Sequence, residues 1–80
     1  MNPTQIRDKQ MVLHEAMVKL LQQTGQPMTT QQIADELNKN GWYKKKNGSK
    51  IIAYQIFGRA ENYPHLFTRN GSMISLLGGN

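Results

Sequence analysis

GQPMTTQQIADELNKNGW, residues 25–42, contains both the start signal and the stop signal of a short helix. Thr29, followed three positions later by Gln32, has the pattern of a capping box, in which each side chain accepts from the other residue's backbone amide. Gly41 supplies the left-handed residue that commonly ends a helix. Between these signals lies an apolar stripe at helical spacing, made of Ile33, Ala34 and Leu37. The stretch therefore predicts a helix from Thr30 to about Asn40.

Upstream of this helix, a longer apolar stripe predicts a first helix. Asn2 as cap and Pro3 in the first helical position indicate where it begins, and Gly25 indicates where it ends. The stripe recurs at spacings of three, four and seven, at Ile6, Leu13, Ala16, Met17, Leu20 and Leu21. Pro27 disfavours helix just before it, so Met28 is expected to form a strand of one or two residues.

A third helix is predicted after residue 49, with Ser49 as its cap. One side of this helix is expected to be buried and carries Ile52, Ala53, Ile56, Phe57 and Ala60. The other side is expected to be exposed and carries Ile51, Tyr54, Gln55, Gly58 and Arg59.

The segment HLFTRNGSMISLL, residues 65–77, predicts a β-hairpin with Asn70-Gly71 as a type I′ turn. That turn fixes the predicted pairing as Arg69 with Ser72, Thr68 with Met73, Phe67 with Ile74, and His65 with Leu76. Phe67, Ile74 and Leu76 would then share one apolar face, which is expected to pack on the helices.

The order helix, short strand, helix, basic loop, helix and hairpin predicts an α+β winged helix-turn-helix, with three helices, a small antiparallel sheet and a hairpin wing. At 80 residues, the chain is expected to form a single domain over 1–80. Its core is expected over about 3–77, with 78–80 as a frayed tail or the start of a linker.

The net charge of +5 is confined to one half of the sequence. Residues 1–41 hold four basic and four acidic side chains, whereas residues 42–80 hold six basic side chains and the single acid Glu61. A one-sided basic field favours binding to a polyanion, because contacts to phosphates release condensed counterions. A basic segment that serves only solubility is the alternative.

Position by position, the stretch GQPMTTQQIADELNKNGW also resembles the HARE-type helix-turn-helix family. The matching positions are Gly25, Pro27, Met28, Thr29, Ile33, Ala34, Leu37 and Gly41, and downstream Phe67, Ile74 and Leu76 resemble the family's wing. The resemblance covers roughly residues 10–77. It implies a winged helix that contacts DNA, in transcription or chromatin functions, or one that docks on a protein.

The predicted DNA-binding surface combines the third helix, the lysine loop and the wing. Gln55 and Arg59 are candidates for base edges, since glutamine pairs with adenine and arginine with guanine, and Tyr54 is a candidate for a phosphate contact. Arg69 beside the wing tip is a candidate for a phosphate or minor-groove contact. Ile51 also belongs to the predicted set. The set is completed by four lysines that could clamp the DNA backbone at the N-terminus of the third helix, namely Lys44, Lys45, Lys46 and Lys50. Ordinary solvated side chains are the alternative for each.

Two other binding functions stay open. A protein partner in transcription or restriction machinery could dock on a patch of Ile51, Tyr54 and Tyr43, although lysines are depleted in the cores of such interfaces. RNA is disfavoured, because the wing strands offer no pair of exposed aromatic side chains for base stacking.

The sequence shows no pattern typical of an enzyme or of a metal site. It has no cysteine, no catalytic arrangement of serine, histidine and acid, and no glycine-rich phosphate loop, and His14 and His65 lack neighbouring ligands. No cofactor and no small-molecule substrate are expected. There is no signal peptide and no apolar stretch long enough to span a bilayer, so we expect a cytoplasmic protein.

Overall fold

The structure is a computed structural model that describes residues 11–77 of the chain. Its helices are α1 (Leu13–Thr24), α2 (Thr30–Asn40) and α3 (Ala53–Asn62). Its strands are β1 (Met28–Thr29), β2 (Phe67–Asn70) and β3 (Met73–Leu76), which form one antiparallel sheet in the order β1-β3-β2. The α+β class, with three helices and a small antiparallel sheet, is therefore confirmed.

The predicted signals around α2 are all present. The Gln32 amide donates to Thr29 Oγ1 at 3.0 Å, and the Thr29 amide donates to Gln32 Oε1 at 2.9 Å, which closes the capping box. Gly41 ends the helix in the left-handed region at φ 73°, where its amide donates to the Leu37 carbonyl at 3.0 Å. These contacts lie within a few residues of each other, which is why the local pattern predicts them.

The start of α1 differs from the prediction. Asn2 and Pro3 lie outside the described residues, but one continuous helix from there is wrong, because Met11 and Val12 are not helical. Val12 is extended and precedes the helix directly. The Met11 amide donates to the Trp42 carbonyl at 3.2 Å, which ties the chain ahead of α1 to the loop after α2. Gly25 ends the helix as predicted, at φ 71°.

The β2–β3 hairpin has a different register from the predicted one. Phe67 pairs with Leu76, Arg69 with Ile74, and Asn70 with Met73, so Gly71 and Ser72 are the two turn residues. The predicted pairs of His65 with Leu76 and Phe67 with Ile74 are wrong. Only glycines have positive φ among the described residues, and Gly71 has φ 63°. A type II′ turn requires glycine in its first central position, which is where Gly71 lies. The predicted type I′ turn at Asn70-Gly71 would need positive φ at Asn70 as well, and Asn70 does not have it.

The faces of the hairpin nevertheless match the prediction. Moving the turn by one residue changes each pairing partner by two, and side chains two apart in a strand lie on the same face. Phe67 and Ile74 are buried, while Thr68 and Met73 on the other face are exposed. β1 forms as a two-residue strand and is the third strand of the sheet, with Met28 paired with Ile74.

The hydrophobic core takes side chains from all three helices and from the sheet. Its largest fully buried members are Met17, Leu21, Ile33, Leu37, Ile56 and Ile74. Trp42 and Tyr43, at the start of the loop after α2, pack against this core and are partly buried. Among residues 11–77, no helix is both long and apolar enough to cross a membrane.

Candidate nucleic-acid interface

Residues 43–50, in the connection between α2 and α3, are a loop held by its own hydrogen bonds. The Gly48 amide donates to the Lys45 carbonyl at 2.9 Å, and Asn47 Oδ1 accepts from both the amide and the hydroxyl of Ser49, at 3.0 and 2.7 Å. Ser49 is thus engaged within the loop, and the prediction that it caps the third helix is wrong. The loop leaves Lys44, Lys46 and Lys50 exposed and Lys45 half-buried.

A contact between α2 and the end of this loop determines where α3 begins. Asn38 Nδ2 donates to the Ile51 carbonyl at 2.9 Å, and the Ile51 amide donates to Asn38 Oδ1 at 2.9 Å. The Ile51 side chain is only 3% exposed and belongs to the core. The predicted place of Ile51 on the exposed surface and in the DNA-binding set is therefore wrong. The extended Ile52 precedes α3, and its side chain is 55% exposed, so its predicted burial is wrong too.

The remaining residues of α3 mostly follow the predicted faces. Ile56 and Ala60 are buried, and Phe57 is half-buried. Tyr54, in the first turn, is 80% exposed. Gln55 is half-buried, and its Oε1 accepts from the Ile52 amide at 3.1 Å, so the oxygen of this side chain already has a partner.

The lysine loop and α3 meet at a cleft that we call the basic cleft, lined by Tyr43, Lys44, Lys46 and Arg59 together with the start of α1. Its volume is about 310 Å³, and no acidic side chain lines it among the described residues. A second cleft of about 380 Å³ also contains Arg59 and Tyr43, and its lining adds Tyr54, Gln55 and the acid Glu61. Arg59, in the last turn of α3, therefore lines both clefts.

Arg69 is in a different environment. Its Nη2 forms an ion pair with Glu61 Oε2 at 3.0 Å, and its guanidinium lies over the Phe57 ring, 4.3 Å from the ring centre. Both partners belong to α3, so Arg69 connects the β2–β3 hairpin to that helix. The structure thus brings Lys44, Lys46 and Arg59 together but keeps Arg69 paired elsewhere.

Three residues that matter to this surface are missing from the predicted set: Asn38, Ile52 and Glu61. Asn38 acts on a residue 13 positions away, and no local pattern signals such a contact. Helical periodicity predicts burial of Ile52 and exposure of Ile51, but both residues precede the first residue of α3, so that periodicity does not apply to them. Glu61 is visible in the sequence as the single acid of residues 42–80, a signal that could have identified it as a partner for a nearby cation.

The histidines take part in ring contacts. The His14 ring stacks on Tyr63 with ring centres 4.0 Å apart, and Tyr63 in turn lies 5.9 Å from His65. Within residues 11–77, no group of three or more histidine, cysteine or acidic side chains is placed to hold a metal ion.

No family model matches the chain, and searches of curated proteins and of solved structures find no similar protein.

Proposed function

We propose that this chain is a winged helix-turn-helix domain that binds double-stranded DNA. In this proposal α2 and α3 are the helix-turn-helix, α3 enters the major groove, and the β2–β3 hairpin is the wing. The observation that carries the proposal is the basic cleft, where Lys44 and Lys46 of the loop lie beside Arg59 of α3 without an acidic neighbour in its lining. The order and pairing of the elements support the same layout.

The cations of this surface are suited to phosphates. Lys44, Lys46 and Lys50 are exposed, and Lys50 lies three positions before the first residue of α3. A helix N-terminus attracts anions through its free amides and its dipole, so phosphates beside the start of α3 would meet both the amides and the lysines. Contacts of this kind provide affinity and orientation on the duplex but carry no base information.

Two members of the predicted set take different roles in this proposal. Gln55 can offer only its amide group to a base while its oxygen accepts from Ile52, so a two-bond contact to adenine requires that cap to open. Arg69 positions the wing against α3 through Phe57 and Glu61.

A protein-docking function is the second candidate, and the exposure of Ile52 and Tyr54 favours it. Exposed apolar and aromatic side chains are common anchors at protein interfaces. The surrounding lysines favour DNA instead, since lysine is depleted in the cores of such interfaces and phosphates need cations.

A chemical-shift titration of the full chain, labelled with ¹⁵N, tests the proposed function. With a mixed-sequence duplex at low salt, we expect the largest amide shifts in the loop 43–50, at Ile52 to Gln55 and at Arg59. The outer side of α1, represented by Glu15, Val18 and Gln22, serves as the internal control. Shifts confined to that control surface would contradict the proposed interface, and no shifts at any duplex concentration would remove duplex DNA as the ligand.

A further inference from the structure

We infer that the start of α3 recognises the 5-methyl group of thymine through Ile52 and Tyr54, an inference that rests on the proposed binding of duplex DNA. Ile52 is the residue just before α3, and Tyr54 is the second residue of the helix. Both side chains are exposed, at 55% and 80%. In helix-turn-helix domains, the N-terminal residues of the recognition helix are the ones that contact base edges.

Two hydrogen-bonding side chains of α3 are held back from the start of the helix. Gln55 uses its oxygen for the Ile52 amide, and Arg59 lines the basic cleft beside Lys44 and Lys46. Ile52 has no polar side-chain atom, so it cannot read a base by hydrogen bonding. Ile52 and the ring of Tyr54 therefore give the start of α3 an exposed apolar surface, beside the Tyr54 hydroxyl and the Gln55 amide group.

The major groove has one apolar feature that a side chain can read, which is the methyl group at C5 of thymine. Burying a methyl group against an aliphatic or aromatic side chain contributes about 0.8 kcal/mol, or roughly a fourfold gain in affinity. Lys50, two residues before Ile52, is exposed and could hold a phosphate beside such a contact. Charge complementarity thus favours DNA, and not a protein, as the occupant of this exposed apolar pair.

Replacing thymine by uracil in the DNA tests the inference, because it removes the methyl group and keeps every hydrogen-bonding group and every phosphate. We would compare the full chain on an alternating A·T duplex and on the same duplex with uracil. The alternating sequence presents thymines in every binding register. We expect the uracil duplex to bind about fourfold more weakly for each methyl group that the protein buries on the thymine duplex. The ratio of the two affinities should stay constant as salt is raised, because burial of a methyl group releases no counterions.

Two variants assign the effect to the residues. Ile52→Ala and Tyr54→Ala should each bring the ratio of the two affinities closer to one. Leu77→Ala is the control, because it removes an equally exposed aliphatic side chain just beyond β3, and it should leave the ratio unchanged. Ile52 makes no side-chain cap bond, so the Ile52→Ala variant is expected to keep the helix start. If wild-type protein binds both duplexes equally well, the methyl inference is overturned while DNA binding stands. If it binds neither duplex at low salt, the proposed function itself is overturned.

Discussion

Asn38 of α2 and Ile51, the second residue before α3, exchange two hydrogen bonds of 2.9 Å each, so that one side-chain amide satisfies both backbone groups of the isoleucine. The contact resembles the pairing of two strand residues, although one partner is a side chain. It holds the end of the lysine loop against α2 and places the buried Ile51 in the core. The exposed Ile52 and Tyr54 follow directly, so this contact orients the surface that we propose to bind DNA.

Asn38→Ala should lower both stability and DNA affinity. Removing two hydrogen bonds to a partly buried backbone should reduce the free energy of unfolding by about 1–2 kcal/mol, measured by urea denaturation. The adjacent variant Lys39→Ala is the control, and it should change stability by less than about 0.5 kcal/mol. An Asn38→Ala protein as stable as wild type would show that the contact does not hold the loop.

A comparison of two single variants, Gly71→Ala and Asn70→Ala, tests the register of the hairpin. Gly71 has φ 63°, and a Cβ there would meet no atom within 4 Å, so the cost of the alanine is backbone strain alone, about 1–3 kcal/mol. Asn70 does not have positive φ, and its replacement should cost less than about 0.5 kcal/mol. A large loss of stability in both variants would favour Asn70-Gly71 as the turn. Thermal or urea unfolding gives the comparison.

Lys44→Ala and Lys46→Ala should each reduce the salt dependence of DNA binding. If each lysine neutralises one phosphate, the slope of log K against log salt should become shallower by about 0.9 in each variant, with the weakening similar for all duplex sequences. Lys19→Ala removes the same charge from α1, where the ammonium lies over the Trp42 ring, and should leave the slope unchanged. Equal effects from all three variants would mean that only net charge matters and that the basic cleft has no special role.

Glu61→Gln should increase duplex affinity. Glu61 pairs with Arg69 at 3.0 Å, and both side chains are substantially exposed, so the pair contributes little to stability. Removing the carboxylate leaves Arg69 free to attract phosphate, and we expect a gain of about threefold in affinity, as for one screened charge interaction. Fluorescence anisotropy with labelled duplex provides the measurement. A weaker-binding Glu61→Gln protein would mean that the ion pair is needed to position the hairpin.

The parts of the fold that are predictable from sequence are those fixed by local contacts. The α2 capping box joins Thr29 to Gln32, and the glycines that end α1 and α2 act on carbonyls four residues back. The faces of the hairpin depend only on the alternation of side chains along a strand.

The errors occur where a distant contact decides between two similar local choices. Asn70-Gly71 and Gly71-Ser72 are both acceptable turn dipeptides, and in the structure β1 and α3 contact the hairpin through Met28 and through the Arg69–Glu61 ion pair. Helical spacing predicts burial of Ile52, but the contact of Asn38 with Ile51 makes α3 begin only at Ala53 and buries Ile51 instead. Charge alone predicts the lysine loop, whereas the closeness of Lys44 and Lys46 to Arg59 depends on how the loop folds back beside α3.

The affinity of wild-type protein for a random-sequence duplex, measured from low to moderate salt, tests the central claim most directly. Four cations are placed to meet phosphates, namely Lys44, Lys46, Lys50 and Arg59. If each neutralises one phosphate, log K should fall linearly with log salt with a slope of about −3.6, at about 0.9 per contact. Absence of binding at low salt, or binding with a slope near zero, would contradict a DNA-binding surface built from this loop and α3.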